Sequence, residues 1–576
     1  MIELSSTIVT IPVFYFFLGS IVLPFLPKGN LRALLTIMVP FMSGFLIWHA
    51  DQGSFLTVQL SQFSLEFMRV DKLSIIFGLI FSIAAFISSL YAWHIRDTVQ
   101  QIATLLYAGS AIGAVFAGDF ISLFIYWEST TLASVFLIWA RRTEGSYQTG
   151  IRYLIIQIGS GVILISGIAL HYSSGNSIVF SSLTDGGVQT WNAGVWLIFL
   201  AFGIKCAFPF LHNWLQDAYP AATVTGTVTL SAFTTKMAVY CLARSFPGTE
   251  ILIYIGAIMT IFPIFFAEIE TDLRRVLAYS INNQLGFMVV GIGIGTELSL
   301  NGSVAHAFAH ILYKALLFMS VGSVLYRTGT SNTSELGGLY RTMPYTMIFC
   351  IVGAASISAF PLFSGFIAKS LILDSAAKEN YHIVWAFLVF ASAGVLSHSG
   401  IKIPYFTFFS HDSGKRPKEA PVHMLCAMGI TAFLCLLIGV RPEFLYFLLP
   451  YEGKYEAYSY SHIITQMQLL CFALLAFVLL VTCKVYPDEE RGINVDTDWI
   501  YRKFGPSVIN FILKFILTVW NEIRRGGKIS IDMIIKTLLH WFGPYGVVEA
   551  KLPTGRMVLS LAIFLGAVMG VTLFKF

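Results

Sequence analysis

Charge is the first thing this chain is short of. Only 12% of its 576 residues are Asp, Glu, Lys or Arg, while 56% are hydrophobic. Soluble domains carry about 25% charged residues, so a water-soluble globule is excluded. The expected fold class is an all-α polytopic membrane protein whose core is the membrane bundle itself. Cysteine is equally thin. Cys206, Cys241, Cys350, Cys426, Cys435, Cys471 and Cys483 are scattered and form no C-x-x-C pair, so iron–sulfur and zinc ligation have no support. No cofactor and no metal are expected. The net charge of +5 belongs to loops and gives no reason to expect nucleic acid. Gly291, Gly293 and Gly295 lack the βαβ context of a dinucleotide loop and read as helix packing. The N-terminus carries Glu3 and no basic n-region, so it does not read as a cleavable signal.

Long apolar runs are abundant. About 16 reach spanning length, beginning with Ile8–Leu26, Ala33–Trp48, Leu73–Tyr91, Ile102–Ala117, Ile121–Ala140 and Ile151–Leu170. Val195–Leu211, Ala221–Leu242, Ile251–Phe266, Val276–Ile294 and Val304–Tyr326 follow. Tyr345–Leu373, Ile383–Ile403, Val422–Val440, Ile464–Cys483 and Val558–Phe574 complete the set. Basic residues set the orientation. With the N-terminus outside, Lys28, Arg32, Arg96, Arg141, Arg142, Arg274, Arg275, Arg327, Arg341, Lys415, Arg416 and Lys418 all fall inside. The polar loop from His171 to Ala193 has no Lys or Arg and falls outside. Both termini are therefore expected on the extracytoplasmic side of the cell's inner (plasma) membrane.

Against this background a few ionisable residues stand out, because one lysine at a helix centre costs roughly 2.5–3.5 kcal/mol on insertion scales. The chain is organised around Ala201–Tyr240, which holds Lys205 and Lys236. Pro209 follows Lys205 by four positions, cannot return an N–H to its carbonyl and clashes with it, so the helix should break there. A broken membrane helix beside a buried cation is how midplane ion sites are built. Glu128, in SLFIYWESTTLAS, must protonate or pair at that depth. A Glu128–Lys205 pair that opens and closes would switch the lysine between holding and releasing a proton. His306, His310 and Lys314 recur at i, i+4, i+8 and share one helix face. They suit a wetted proton path better than a zinc site, which would want a further ligand. Lys369 follows Pro361, Ser364 and Gly365 and should open the second half of another broken helix. Each of these groups also has a bland reading: a structural ion pair, a lysine reaching to the interface, or a histidine that only bridges helices. Arg274 and Arg275, after Glu268, Glu270 and Asp272, read as a solvated loop.

Ala207-Phe208-Pro209-Phe210 recurs in kind as Ala359-Phe360-Pro361-Leu362, each near a lysine. Paired, proline-interrupted segments point to a repeat-built transporter. From Tyr486 to Thr554 the character changes, with Asp488, Glu489, Glu490 and Asp496 followed by Arg502, Lys503, Lys514, Arg524, Arg525 and Lys528. Val508–Ile523 and Ser530–Phe542 are expected as two amphipathic helices along the membrane surface.

Taken together, YWESTTLAS, AFGIKCAFPFLHNWLQDA, DLRRVLAYSINNQLGFM, HAFAHILYKALLF, SELGGLYRTMP and FPLFSGFIAKS resemble the antiporter-like membrane subunits of Mrp-type cation/proton antiporters, respiratory complex I and membrane-bound hydrogenases. The resemblance spans roughly Ile102 to Ile403, with the motifs in the same order. It implies two inverted five-helix repeats with broken helices, here 102–243 and 251–403, framed by 1–101, 404–485 and an extension with a last span at 486–576. It implies that Glu128, Lys205, Lys236, His306, His310, Lys314 and Lys369 form a proton relay. TVTGTVTLSAFTTK lacks the family's usual histidine and looks most like Mrp D-type subunits. The function expected is proton translocation in a multisubunit Na+/H+ antiporter, with other membrane subunits as partners, the lipid bilayer around it and no enzymatic chemistry of its own. The alternatives are a pumping subunit of NADH:quinone oxidoreductase or hydrogenase, a solitary solute transporter, and a membrane scaffold with inert charges.

Overall fold

The apolar runs are helices in the computed structural model, which describes residues 11–60, 63–184, 187–453, 455–486, 492, 494–543, 546–547 and 554–573. Glu3, Ile8, Asp488, Glu489, Glu490 and Phe574 lie outside these. Among the described residues 13 helices are long and apolar enough to cross a membrane, and three shorter apolar ones join them. The chain divides into two compact units, Met1–Asn494 and Val495–Phe576.

The first unit opens with α1 (Pro12–Val22) and α2 (Asn30–Trp48). An antiparallel hairpin follows, β1 (Gly53–Leu60) and β2 (Phe63–Val70). The sequence reading held no strands. The signal was the alternation in FSLEFMRV, which buries Leu65, Met68 and Val70. Then come α3 (Lys72–Tyr91), α4 (Thr98–Phe116), α5 (Phe120–Trp139), α6 (Glu144–Ser173), α7 (Ala193–Cys206), α8 (Asn213–Ala221), α9 (Val224–Ala232) and α10 (Thr234–Ser245). After these lie α11 (Glu250–Ile269), α12 (Leu273–Ile294), α13 (Glu297–Thr328), α14 (Pro344–Ile357), α15 (Ser364–Lys378) and α16 (His382–Val395). Wide, π-type turns carry α16 onward at Leu396–Ile401 and Tyr405–Phe409. The unit closes with α17 (Val422–Val440), the short α18 (Glu443–Tyr446) and α19 (Tyr460–Thr482).

Polar caps start many of these helices. Asp71 accepts from the Ser74 amide, Asp119 from Ser122, and Thr296 from Ser299, satisfying N–H groups that a helix leaves unpaired. Helices α11 and α12 pack at backbone distance. A Cβ on Gly256 would meet the Val290 amide at 2.6 Å, and one on Gly293 would meet that of Ile253 at 2.6 Å. Helix packing is thus what the glycine run does.

The internal repeat is explicit in the backbone. The series α4, α5, α6, α7, α8 recurs at near-constant spacing as α11, α12, α13, α14, α15. Asp119 bridges Val179 in the first copy, and Asp272 bridges Asn332 at the matching place in the second. Taking α7–α8 and α9–α10 as one broken span each, the first copy crosses five times. The second therefore starts on the opposite side, so the repeats are inverted. Tyr345–Leu373 divides into α14 and α15, as Pro361 led one to expect, whereas the expected continuous span Ala221–Leu242 is also broken and divides at Phe233.

In the second unit the two expected amphipathic helices are one, α20 (Gly505–Phe542, 38 residues). The intervening Arg524-Arg525-Gly526-Gly527-Lys528 stays helical, because two glycines cost only about 2 kcal/mol against a long run of helix formers. At about 57 Å it is far longer than a ~30 Å bilayer core. The last helix, α21, covers Thr554–Leu573.

Candidate functional site

The two proline motifs adopt the same shape. In the first, Ala207 and Phe210 have φ of 62° and 67°; in the second, Ala359 and Leu362 have 57° and 75°. The Phe208 amide reaches back to Gly203 O at 3.0 Å and the Phe360 amide to Ala355 O at 3.0 Å. Each motif ends one helix and lets another start a few residues on. The carbonyls stranded at such breaks need donors, and buried side chains supply them.

Lys205 lies in the last turn of α7 and is 1% exposed. Its Nζ donates to Trp127 O at 2.7 Å and to the hydroxyls of Thr130 at 3.0 Å and Thr131 at 3.1 Å, and it sits 4.3 Å from the Trp127 ring centre. All three donors of the ammonium are thus met by α5. Lys369, in the second turn of α15, donates to Ile357 O at 2.8 Å and sits 5.1 Å from the Phe287 ring centre. Trp214 Nε1 does the same work in the first copy, donating to Ile204 O at 2.9 Å. Lys236 follows the break at Phe233 and donates to Ser231 O at 2.7 Å.

Glu128 is next to Trp127 on α5 and half-buried, and among the described residues its Oε1 meets no hydrogen-bond donor. The carboxylate rests on Gly161 of α6, where any Cβ would overlap Oε1. It is within electrostatic reach of Lys205 but makes no ion pair with it. The lysine spends its donors on backbone and threonine oxygens instead, so of the open and closed arrangements expected for this pair the structure holds the open one.

His306, His310 and Lys314 share one face of α13 and are fully buried. His306 Nε2 lies 3.4 Å from the Tyr313 hydroxyl, which donates to Gln284 Oε1 at 3.1 Å. Lys314 Nζ donates to Leu277 O at 3.3 Å. Among the described residues neither ring nitrogen of His310 meets a partner, nor does His306 Nδ1. Lys236 and Lys369 both lie within electrostatic reach of the two imidazoles. Lys236, His306, His310, Lys314 and Lys369 therefore form one cluster, with Glu128 and Lys205 as a second group. Among the described residues no carboxylate pairs with Lys236, Lys314 or Lys369, and no group of three His, Cys, Asp or Glu is placed to hold a metal ion. The side chains of Gln157, Gln216 and Asn282, with Thr235 Oγ1, are also buried without partners among these residues. Water is the usual partner of such groups.

Arg274 corrects the sequence reading. It is 3% exposed, not solvated. Its guanidinium donates to Tyr219 O at 2.9 Å, Ala222 O at 2.8 Å and the Thr227 hydroxyl. It thereby pins the junction of α8 and α9, just ahead of the break before Lys236. Arg275 pairs with Glu270 at 3.5 Å. Sequence reasoning also passed over His398 and Lys402, both fully buried. Their signal was visible: two ionisable residues four apart inside the apolar run Ile383–Ile403.

Known proteins share both this sequence pattern and this fold. Residues 117–396 match the profile of the NADH:quinone oxidoreductase/Mrp antiporter transmembrane family. The chain is 31% identical over 313 residues to the D-type component of the Na(+)/H(+) antiporter of Alkalihalophilus pseudofirmus, covering 52% of this chain and 63% of that one. It is 24% identical over 568 residues to the A-type component of the same antiporter, covering 88% and 67%. It is 25% identical over 511 residues to NADH-ubiquinone oxidoreductase chain 5 of Hypocrea jecorina, covering 80% and 73%. The chain thus spans about half to two thirds of the antiporter relatives' own length, with 48% of a probable K(+)/H(+) antiporter component of A/B type from Rhizobium meliloti at the low end. The fold is shared with a chain of the Mrp complex from Dietzia sp. DQ12-45-1b, with a TM-score of 0.74 at 22% identity over 98% of this chain and 63% of that one. It is shared too with a chain of the archaeal membrane-bound sulfane sulfur reductase, with a TM-score of 0.69 at 20% identity over 81% of this chain and 99% of that one. Residues 117–396, the stretch that holds both paired breaks, are thus similar to the transmembrane family common to NADH:quinone oxidoreductases and Mrp antiporters.

Proposed function

We propose that this chain is the proton-translocating membrane subunit of a multisubunit monovalent cation/proton antiporter, with Na+ as the exchanged cation and other membrane subunits as partners. The observation that carries the reading is the row of buried cations and imidazoles. Lys205, Lys236 and Lys369 are each tied to a carbonyl by hydrogen bonds of 2.7–2.8 Å. Lys236 and Lys369 do so at helix breaks, and His306, His310 and Lys314 lie within electrostatic reach of both. A charge on one member repels charge on the next. Protonation therefore moves along the row instead of filling it. Glu128 controls entry: when its carboxylate swings from Gly161 towards Lys205 it holds the ammonium, and when it swings back it lets the proton go. The Na+/H+ antiporter components among the relatives support the cation assignment. The positive-inside pattern of the loops supports a reading with both termini outside the plasma membrane.

The test is exchange in membrane vesicles holding the whole complex. Glu128→Ala and Lys205→Ala should each abolish cation/proton exchange while the subunit still assembles; exchange at the wild-type rate in either variant removes the role.

One observation favours a second reading. The D-type relative aligns with 52% of this chain, whereas the A-type relative and chain 5 align with 88% and 80%. An A-type role, or that of a chain-5-like pump in a redox complex, accounts for more of the length. The purified complex decides: small membrane subunits alone favour the antiporter, and iron–sulfur subunits favour the redox pump.

A further inference from the structure

The segment after α16 is unlike the rest of the bundle. From Leu396 to Phe409 the chain makes two stretches of wide turns around Lys402–Pro404. Such insertions are rare and frequent at functional sites. Here they carry two ionisable residues that the relay described above does not use.

His398 Nδ1 lies 2.7 Å from Gly394 O. A carbonyl only accepts, so Nδ1 carries the hydrogen and Nε2 is the acceptor of the neutral ring. Nε2 is buried and meets no donor among the described residues. The charged groups facing this imidazole are Lys314 from α13, Lys369 from α15 and Lys402 from its own segment. Its surroundings are polar. Ser399 donates to Ser280 of α12 at 2.8 Å, and Gln466 of α19 donates to Ser358 O at 3.4 Å beside Gly400.

Lys402 stands at the other end of the segment. It is fully buried, and its Nζ donates to Glu268 O at 2.5 Å and Glu270 O at 2.8 Å. Beyond it lie the carboxylates of the same residues. Glu268 is half-buried and accepts from the Tyr486 hydroxyl at 3.0 Å. Glu270 is bound by Arg275 at 3.5 Å and Asn494 at 3.3 Å. The sequence of groups thus runs from a buried lysine pair, through an imidazole with an open acceptor and a third lysine, to a carboxylate that meets solvent.

We propose that His398 and Lys402 carry protons between the Lys314–Lys369 pair and the Glu268 end of α11, a branch of the second repeat that leaves by the same end as the Arg274–Arg275 loop. Each step moves one proton and no electrons. An ammonium of the pair gives its proton, through intervening water, to His398 Nε2. The imidazolium gives it on to Lys402 in its amine form, and Lys402 releases it to water at the Glu268 carboxylate. The branch rests on the proton-translocating reading of the site.

The experiment uses vesicles holding the assembled complex. His398→Asn keeps a donor for Gly394 O but takes up no proton. Lys402→Arg keeps the charge and the donors for both carbonyls but does not release its proton. Both should assemble normally and exchange at least tenfold more slowly than wild type. Wild-type exchange in His398→Asn overturns the branch. Wild-type exchange in Lys402→Arg reduces that lysine to a staple between segments and removes it from the path. Lys205→Ala, measured alongside, separates the two levels. If exchange survives there as well, the proton-translocating reading itself fails. If it is lost only there, the branch alone fails.

Discussion

At the scale of single residues, what matters is which atom each buried charge touches. Glu128 depends on the absence of a side chain at Gly161, since a Cβ there would overlap its Oε1. Gly161→Ala should push the carboxylate off its resting place and slow exchange about tenfold, equivalent to about 1.4 kcal/mol. In a Glu128→Ala background the same change should cost nothing further, and a double-mutant cycle on vesicle exchange checks this. Arg274 is a second case. Removing its guanidinium would strand several buried carbonyls, so Arg274→Ala should destabilise the bundle by about 3 kcal/mol, read as a lowered melting temperature in detergent. Outside the membrane spans, Asp71 caps α3 and pairs with Arg244 at 2.8 Å. Burial works against its carboxylate, but Arg244 and the Ser74 amide outweigh it and hold the group below its ordinary value. A lowered folded-state value stabilises above the unfolded value of about 3.9 and loses that stability as pH falls through the folded one. Asp71→Asn should therefore lower the melting temperature at pH 7, and the gap should close below about pH 4.

At the scale of elements, the breaks decide the site. Ala207 and Ala359 sit at positive φ, where an L-residue pays roughly 1–2 kcal/mol. Ala207→Gly should relieve about 1 kcal/mol of this. Ala207→Val should lose exchange, because a β-branched residue resists that conformation; melting and vesicle exchange on the two variants check the pair. Much of this level was legible in the sequence. Pro209 and Pro361 announced two breaks, and the spacing of His306, His310 and Lys314 announced a shared face. The break at Phe233 was not legible. VTGTVTLSAFTTK holds no proline, and the local bond from Lys236 Nζ to Ser231 O that spans the break has no signature in the sequence. Nor was the burial of Arg274, since a run of charges before a helix looks the same whether water or stranded carbonyls receive it. The wide turns around His398 were hidden for a related reason: His398 and Lys402 were visible as ionisable residues, but an extra residue per helical turn leaves no mark in composition.

At the scale of the whole molecule, the repeat is the organising fact, and the two copies have drifted. The position in α8 that corresponds to Lys369 is Asp217, which pairs with Arg152 at 2.8 Å. Breaking that pair by Asp217→Asn should leave a partly exposed arginine unpaired at a cost of about 1 kcal/mol, visible as a small drop in melting temperature and not as lost exchange. The second unit, Val495–Phe576, repeats nothing in the first. Its α20 exposes Phe511, Phe515 and Trp520, more apolar surface than water tolerates on a free helix.

Because each copy has an odd number of crossings, one kinked backbone device is presented in two opposite orientations. Under the proposed function, duplication alone would furnish both an inlet and an outlet, with no second invention. The lysines then broke the tie. One copy keeps its cation ahead of the kink, at Lys205, and the other behind it, at Lys369. Under the proposed function, a proton meeting the two breaks in succession would not find them interchangeable, so the two halves of the frame would load and unload differently.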